Sequence, residues 1–476
     1  MAFRLIPAID THPGNISFAQ TKLGKLTVVG LFAFGFYIIQ RSYWDTFALM
    51  ATLLAATFLP QYRRRIVTIA TLSWLLISTP DWFDWTVPKY IAEHYRMAGA
   101  FNFLNLERAA IVVVLSLSAL MLVFVYRHPK SPLARRPLLT LTVLYSGLLA
   151  LACYGLPGRE AVIAWSIVVT VGALFWFLGY AMLDHQNGDR NSVGVQMGTF
   201  HPFWGSSTTP IPKGAAYLRR VESKNAADLA ITQLKALKLI LWAALLSVCY
   251  SYWVKTLHHL LHLPTFQDAF DRSVARAPYP WYVCWLVVTA AFFENLFVLS
   301  VWGHTYVACC RMAGFRALRN TYRPLQAKTI AEFWNRYYFY FKELMVDFFF
   351  YPTFFRYFKG HRRLRIAAAT FMAAGFGNLF FHFLRDIRYV AELGLRKALI
   401  GYHVYAFYCL VLSTGIAASQ LRKKPHRGKR YRFWAGVSPT FGVLAFYCLL
   451  QVFDDTGRTH PITAHFTFLL HLFGVR

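Results

Sequence analysis

Carboxylates are what this chain has least of. Its 476 residues hold 21 Asp and Glu against 50 Lys and Arg, and charged residues of both signs make up only 15%. A soluble domain carries about 25%, so an ordinary solvated surface over this length is excluded. Several chemistries are excluded by missing motifs. Without a G-x-x-x-x-G-K-[ST] loop there is no P-loop hydrolysis of ATP. The lack of DDxxD argues against Mg²⁺-dependent prenyl transfer, the lack of an outer-loop DxD against sugar transfer, and the lack of H-E-x-x-H against a zincin peptidase. The seven cysteines (Cys153, Cys249, Cys284, Cys309, Cys310, Cys409 and Cys448) form no CxxC and lie in or beside apolar runs. They read as small buried residues, not as a disulfide framework or thiolate metal site. The first 25 residues lack the apolar core of a signal peptide. They are expected to form a cytoplasmic segment, with the first hydrophobic helix as an uncleaved insertion signal. No internal repeat or low-complexity tract is found.

What the chain does have is apolar runs of membrane-crossing length, about 20 residues each. Ala161–Leu183, Pro137–Gly158, Ala398–Leu421 and Phe433–Phe453 read this way, as do Ala109–Tyr126, Leu239–Val254 and Ile366–Leu384. Trp281–Cys310 is longer and contains one carboxylate, Glu294. Leu26–Gln40, Thr46–Tyr62, Ile66–Pro80 and Thr459–Val475 are shorter candidates. The expectation is an all-α polytopic membrane protein with roughly eleven or twelve crossings, some re-entrant, and one membrane domain over 26–475.

The cations have a pattern. Lys and Arg cluster in alternate connections: Arg63–Arg65, Arg127–Arg136, Lys213–Lys238, Arg311–Lys328, Arg356–Arg365 and Arg422–Arg432. Pro80–Arg108 and Asp454–Arg458 between them are neutral or mildly acidic, the former with Asp81, Asp84, Glu93 and Glu107. The positive-inside rule then puts the basic set, including a loop over 184–238, and both termini on the cytoplasmic side. Topology and contact with anionic lipid account for most of the net charge of +29. Nucleic acid is not an expected partner, because the cations sit between hydrophobic spans.

Polar groups in apolar surroundings are the functional candidates. His258, His259 and His262 have i, i+4 spacing, which reads either as a two-imidazole metal pair or as an interfacial polar rim before Pro264; no third ligand is evident, and no metal site is assigned. His382 lies in GFGNLFFHFLRD, one turn after Asn378, and His403 begins the next apolar run. An imidazole there either exchanges protons at neutral pH or bonds between helices. The block Phe333–Phe358 mixes rings with Asn335, Arg336, Lys342, Glu343 and Asp347, on several faces, and Pro352 should bend it. Glu294 is expected to pair with an arginine, since a lone carboxylate in a membrane is costly.

FWNRYYFYFKELMVDFFFYP, a basic loop and then GNLFFHF together resemble the membrane-bound O-acyltransferase (MBOAT) superfamily, bacterial type. Its bacterial members carry an FWRRWH-type motif in a re-entrant region, a basic loop, and a histidine in an apolar helix. TFHPFWGSSTTPIPKGAAYLRR is similar to the family's upstream loop through Phe200, Pro202, Pro210, Ile211 and Arg219 or Arg220. The resemblance implies a ring of tilted helices, a re-entrant motif over 333–358 and a catalytic histidine in the helix 366–384. His382 matches the near-universal histidine and would act as general base; Asn335 and Tyr338 would take part in catalysis. Trp334 and Arg336, in the FW-x-R core, would contact substrate, and Asn378 and His403, placed beside His382 by the sequence itself, are further substrate-binding candidates. Asn335 stands where bacterial relatives usually have Arg, Tyr338 where they have a second histidine, and Phe383 where a small residue follows the catalytic one.

The reaction so implied is acyl transfer from a cytoplasmic thioester to a hydroxyl of a cell-envelope glycan, lipid or lipid-linked metabolite. No tightly bound cofactor is implied. Acyl-CoA or an acyl-carrier-protein thioester would be the donor, with an acyl carrier protein or envelope protein as a further partner. The bacterial inner membrane is the expected location. The alternative is a transporter or flippase for an anionic amphiphile, which would more often show inverted repeats. The topology is directly testable. In a background without native cysteines, Lys130→Cys and Lys359→Cys should resist a membrane-impermeant maleimide in intact cells, whereas Glu93→Cys should react.

Overall fold

The computed structural model describes residues 6–78, 83–186, 191–205, 207–422, 434–454 and 460–475, with backbone only for 434–438. Pro80, Asp81, and most of the Arg422–Arg432 and Asp454–Arg458 connections lie outside the described residues. The described chain is largely helical, with no strand. Eight of its helices are long and apolar enough to cross a membrane. In chain order the main helices are α1 (Lys22–Gln40), α2 (Tyr43–Phe58), α3 (Arg63–Ile77), α4 (Phe103–Arg127), α5 (Pro137–Gly155), α6 (Gly158–Gln186), α7 (Ala226–Leu260) and α8 (Trp281–Met312). They continue with α9 (Ile330–Tyr337), α10 (Phe339–Met345), α11 (Tyr351–Arg356), α12 (Arg362–Arg385), α13 (His403–Leu421), α14 (Trp434–Leu450) and α15 (Ile462–Leu472). The spanning-length set is α1, α4, α5, α6, α7, α8, α12 and α13. The runs expected at Thr46–Tyr62, Ile66–Pro80 and Thr459–Val475 are helical but shorter, as α2, α3 and α15.

Side-chain caps mark where several helices begin. Thr21 Oγ1 accepts from Gly24 N–H at 2.9 Å, Asn102 Oδ1 from Asn105 N–H at 3.2 Å, and Thr329 Oγ1 from Glu332 N–H at 3.0 Å. Each replaces a bond that the first helical turn cannot make internally.

The chain divides into two compact units. The first comprises Met1–Ala244, His304–Leu318 and Leu384–Leu395. At its centre is α6, buried along most of its length from Ala161 to Asp184, with α4 and α5 against it. Specific polar contacts link its segments: Gln233 Nε2 donates to Thr57 Oγ1 at 2.7 Å and to the Met312 carbonyl at 3.1 Å. The buried Arg63 guanidinium lies 3.4 Å from Glu222, and Lys238 lies 2.6 Å from Asp10. Much of the segment expected as a basic loop over 184–238 is folded inward. Phe200, His201, Phe203, Trp204 and Ile211 are buried, Phe203 N–H donates to Thr71 Oγ1, and Ala216 N–H donates to Asp184.

The second unit comprises Leu245–Gly303, Arg319–Phe383 and Arg396–Arg476. Its core gathers Phe292, Phe333, Leu412, Ile416, Tyr447, Phe453 and Phe468. Phe333 stacks on Tyr447 at 4.0 Å, and the Tyr447 hydroxyl donates to the Ile330 carbonyl at 2.9 Å. The aromatic block thus supplies a core ring as well as half-buried ones.

His201 makes the first unit sensitive to acid. Its ring is edge-on to Phe83 at 5.4 Å, and among the described residues neither nitrogen has a hydrogen-bond partner beyond the residue's own backbone. Burial drives its pKa down to about 3. The unfolded chain binds a proton near pH 6.5 and the folded one does not, so stability is complete above that pH and falls as pH drops toward 3. Between pH 6.5 and 5 the loss should be about 2 kcal/mol. Melting in detergent across this range should show the slope in wild type and a shallower one in His201→Phe.

Candidate functional site

The aromatic block is a broken helix. α9 ends at Tyr337, Tyr338 is extended (φ −139°, ψ 77°), and α10 begins at Phe339. Such a break strands backbone donors and acceptors, a heavy cost away from water. The neighbouring segment 320–322 satisfies them. The Asn320 carbonyl accepts from Phe339 N–H at 2.9 Å, and its side-chain Oδ1 accepts from Tyr340 N–H at 3.2 Å. Thr321 Oγ1 donates to the Tyr337 carbonyl at 2.9 Å, and Tyr322 N–H to that of Arg336 at 2.8 Å. Asn320 is itself fully buried. Beyond α10 a π turn spans Val346–Phe350, immediately before Pro352 in α11, where the sequence predicts a bend.

The second element is α12. Its middle, Phe371–Gly377, is wound as a π segment, and the α path resumes at Asn378. π turns concentrate at functional positions. Asn378 and His382 come next, one turn apart. Asn378 is buried; its Oδ1 accepts from the Tyr405 hydroxyl at 3.3 Å, while its Nδ2 has no hydrogen-bond partner among the described residues. His382 is half-buried, with its ring 4.4 Å from that of Tyr405. The Tyr402 hydroxyl donates to the His382 carbonyl at 3.2 Å, and Tyr405 stacks on Tyr408 at 5.1 Å. The start of α13 therefore grips the histidine turn through two tyrosines, Tyr402 at its N-cap and Tyr405 in its first turn.

Phe341 connects the two elements. It meets Trp334 edge-on at 5.7 Å, stacks on Tyr338 at 5.4 Å, and meets Phe381 edge-on at 4.8 Å. Phe381 is the neighbour of His382. Trp334, Tyr338, Asn378 and His382 thus belong to one continuous contact network. The other residues chosen from the sequence have separate settings. Asn335 is exposed. Arg336 is bound to Glu332 at 2.7 Å and reaches the Arg323 carbonyl at 3.4 Å. His403 is exposed; its Nδ1 lies 2.8 Å from the Ile400 carbonyl, and its Nε2 accepts from Ile462 N–H at 3.2 Å. Both its nitrogens hold backbone.

Glu294 is paired with His258 at 2.9 Å instead of with an arginine. The other nitrogen of His258 lies 2.7 Å from the Leu263 carbonyl, so this member of the histidine cluster acts as the carboxylate's counter-group. Among the described residues no group of three or more His, Cys, Asp or Glu side chains could hold a metal ion.

Sequence reasoning missed Asn320, Phe341 and Tyr405. Tyr405 had a signal, a phenol tip within the apolar run Ala398–Leu421 and close in sequence to His403. Asn320 had none, since its role is set by what packs against it. No known protein-family model matches the chain, and no curated protein is significantly similar to it.

The packing behind the break is testable at Gly303. A Cβ there would come within 2.5 Å of Asn320 Nδ2 and 3.1 Å of its Cβ. Gly303→Ala should displace Asn320 and lower stability by about 1–3 kcal/mol, as overpacked cores do, read as a drop in detergent melting temperature. Gly303→Ser should be no milder.

Proposed function

We propose that this protein is a membrane O-acyltransferase in which His382 is the general base. The observation that carries this reading is the shared hold of Tyr405 on two groups one turn apart: an imidazole and a buried carboxamide whose N–H has no partner among the described residues. His382 takes the proton of an acceptor hydroxyl as its oxygen bonds to the thioester carbonyl carbon. The tetrahedral intermediate then collapses, the C–S bond breaks, and the thiolate takes the proton back from the imidazolium. Tyr405, by donating to Asn378 Oδ1, turns the Asn378 Nδ2 hydrogens toward a substrate oxygen, where they stabilise developing negative charge.

The surrounding rings have a part in this. Trp334, Tyr338, Phe341 and Phe381 form an apolar wall beside the histidine, which keeps water from competing with the acceptor hydroxyl. Cationic connections favour approach of a donor with phosphates, such as acyl-CoA or an acyl carrier protein. On this reading the likeness of 333–382 to the MBOAT superfamily reflects common chemistry. The enzyme would work in a bacterial inner membrane with its termini on the cytoplasmic side, acting on a glycan or lipid hydroxyl.

The test is transfer from labelled acyl thioesters to membrane extracts, with every variant monodisperse in detergent. His382→Ala should lose about 10²–10⁴-fold in rate, the span typical of a missing general base. Asn378→Ala should lose about 10²–10³-fold, as for an oxyanion donor, and Tyr405→Phe should fall between these and wild type. Undiminished transfer by His382→Ala would remove the proposed base. No transfer by wild type from any donor would favour movement of an anionic amphiphile instead.

A further inference from the structure

We propose that the hairpin between α11 and α12 is a binding site for the headgroups of anionic phospholipids. The chain has no acidic residue between Asp347 and Asp386, yet Arg356, Lys359, Arg362, Arg363 and Arg365 lie within this stretch. Several arginines elsewhere are ion-paired: Arg63 and Arg64 with Glu222, Arg316 with Asp228, and Arg388 with Glu392. None of the five hairpin cations forms an ion pair among the described residues, and all but Arg365 are exposed.

The same turn exposes large apolar side chains. Phe355 is 65% exposed, and Tyr351, Tyr357, Phe358 and Leu364 are each about half exposed. Arg365 lies over the Phe354 ring at 4.2 Å, and Arg356 over Tyr357 at 5.7 Å. In water the exposed rings carry a hydrophobic cost and the clustered like charges repel one another. At a bilayer surface both are satisfied. Rings settle at the boundary between headgroups and acyl chains, while arginine and lysine stems extend to phosphate. A soluble phosphate compound would satisfy the cations but leave the rings in water, so the exposed rings favour lipid as the occupant.

The connection 127–136 supplies an internal control. Arg127, Lys130, Arg135 and Arg136 are also exposed and form no ion pair among the described residues, but only the Phe124 and His128 rings are exposed beside them. Net positive charge alone would make the two connections equivalent. The inference is independent of the acyltransferase reading, because it concerns lipid contact and is measured without turnover.

The full chain would be reconstituted in phosphatidylcholine vesicles, and the protein-restricted fraction of spin-labelled phosphatidylglycerol compared with that of spin-labelled phosphatidylcholine. Wild type should prefer the anionic label several-fold. Arg356→Gln/Lys359→Gln/Arg362→Gln/Arg363→Gln should abolish most of that preference, while Arg127→Gln/Lys130→Gln/Arg135→Gln/Arg136→Gln should keep most of it. Equal loss in both variants would reduce the effect to net charge and overturn the site, as would undiminished preference in the first. If the first variant is not monodisperse, Phe355→Ser/Phe358→Ser with all cations retained reads the same site: a fall in preference supports it, and no change overturns it. Displacement of the anionic label from wild type by coenzyme A would assign the cations to a soluble phosphate ligand and also overturn the proposal.

Discussion

Backbone hydrogen bonding at the break between α9 and α10 is the constraint on which the candidate site depends. In a hydrocarbon setting a helix can stop and restart only if something else takes up the freed amides and carbonyls. Segment 320–322 does so with both main-chain and side-chain groups, from Arg336 to Tyr340. That fixes Tyr338 in an extended conformation and aims Phe341 at Phe381. The histidine helix is then held on its other side by Tyr402 and Tyr405. Positioning passes through rings and one amide, groups that tolerate low dielectric without the desolvation cost of charge.

The shortage of carboxylates has structural effects beyond solubility class. Several of the few that are present hold particular cations: Glu222 both Arg63 and Arg64, Asp10 Lys238, and Glu332 Arg336; Glu294 instead holds the imidazole of His258. Fixed pairs of this kind define local geometry more than they add net stability. Several of the cations left over lie at exposed turns, among them Arg356, Lys359, Arg127 and Lys130, where water or lipid phosphate can solvate them. The distribution of acids therefore separates cations that organise the fold from cations that face outward.

Much of the fold was legible because apolar length is a local property. Ala161–Leu183 became the core of α6, Trp281–Cys310 nearly all of α8, and Ile366–Leu384 most of α12. The block at 333–358 was legible as unusual, since its polar residues fall on several faces. What could not be read was pairing at a distance. The partner of Glu294 is His258, from a cluster that spacing alone left open between metal binding and an interfacial rim. Arg336 and His403 look like site residues in sequence, but in the structure their hydrogen bonds hold the nearby chain. Asn320 lies in a basic connection and shows no sign of its role, because its importance comes from the backbone that approaches it. The inward folding of 199–211 was hidden for the same reason: a sequence that is short of apolar length can still be buried by its neighbours.

The π segment Phe371–Gly377 sets the rotational phase of the last two turns of α12. A π turn holds about one residue more than the α turn it interrupts. Each residue in an α-helix advances the azimuth by about 100°. Without the extra residue, Asn378 and His382 would swing about a quarter-turn around the axis of α12 relative to everything before it, even though the helix would remain as apolar and nearly as long. Hydropathy would register no change. The segment works as a vernier, so a lineage that lost or gained one residue there would retain the span and redirect both polar side chains.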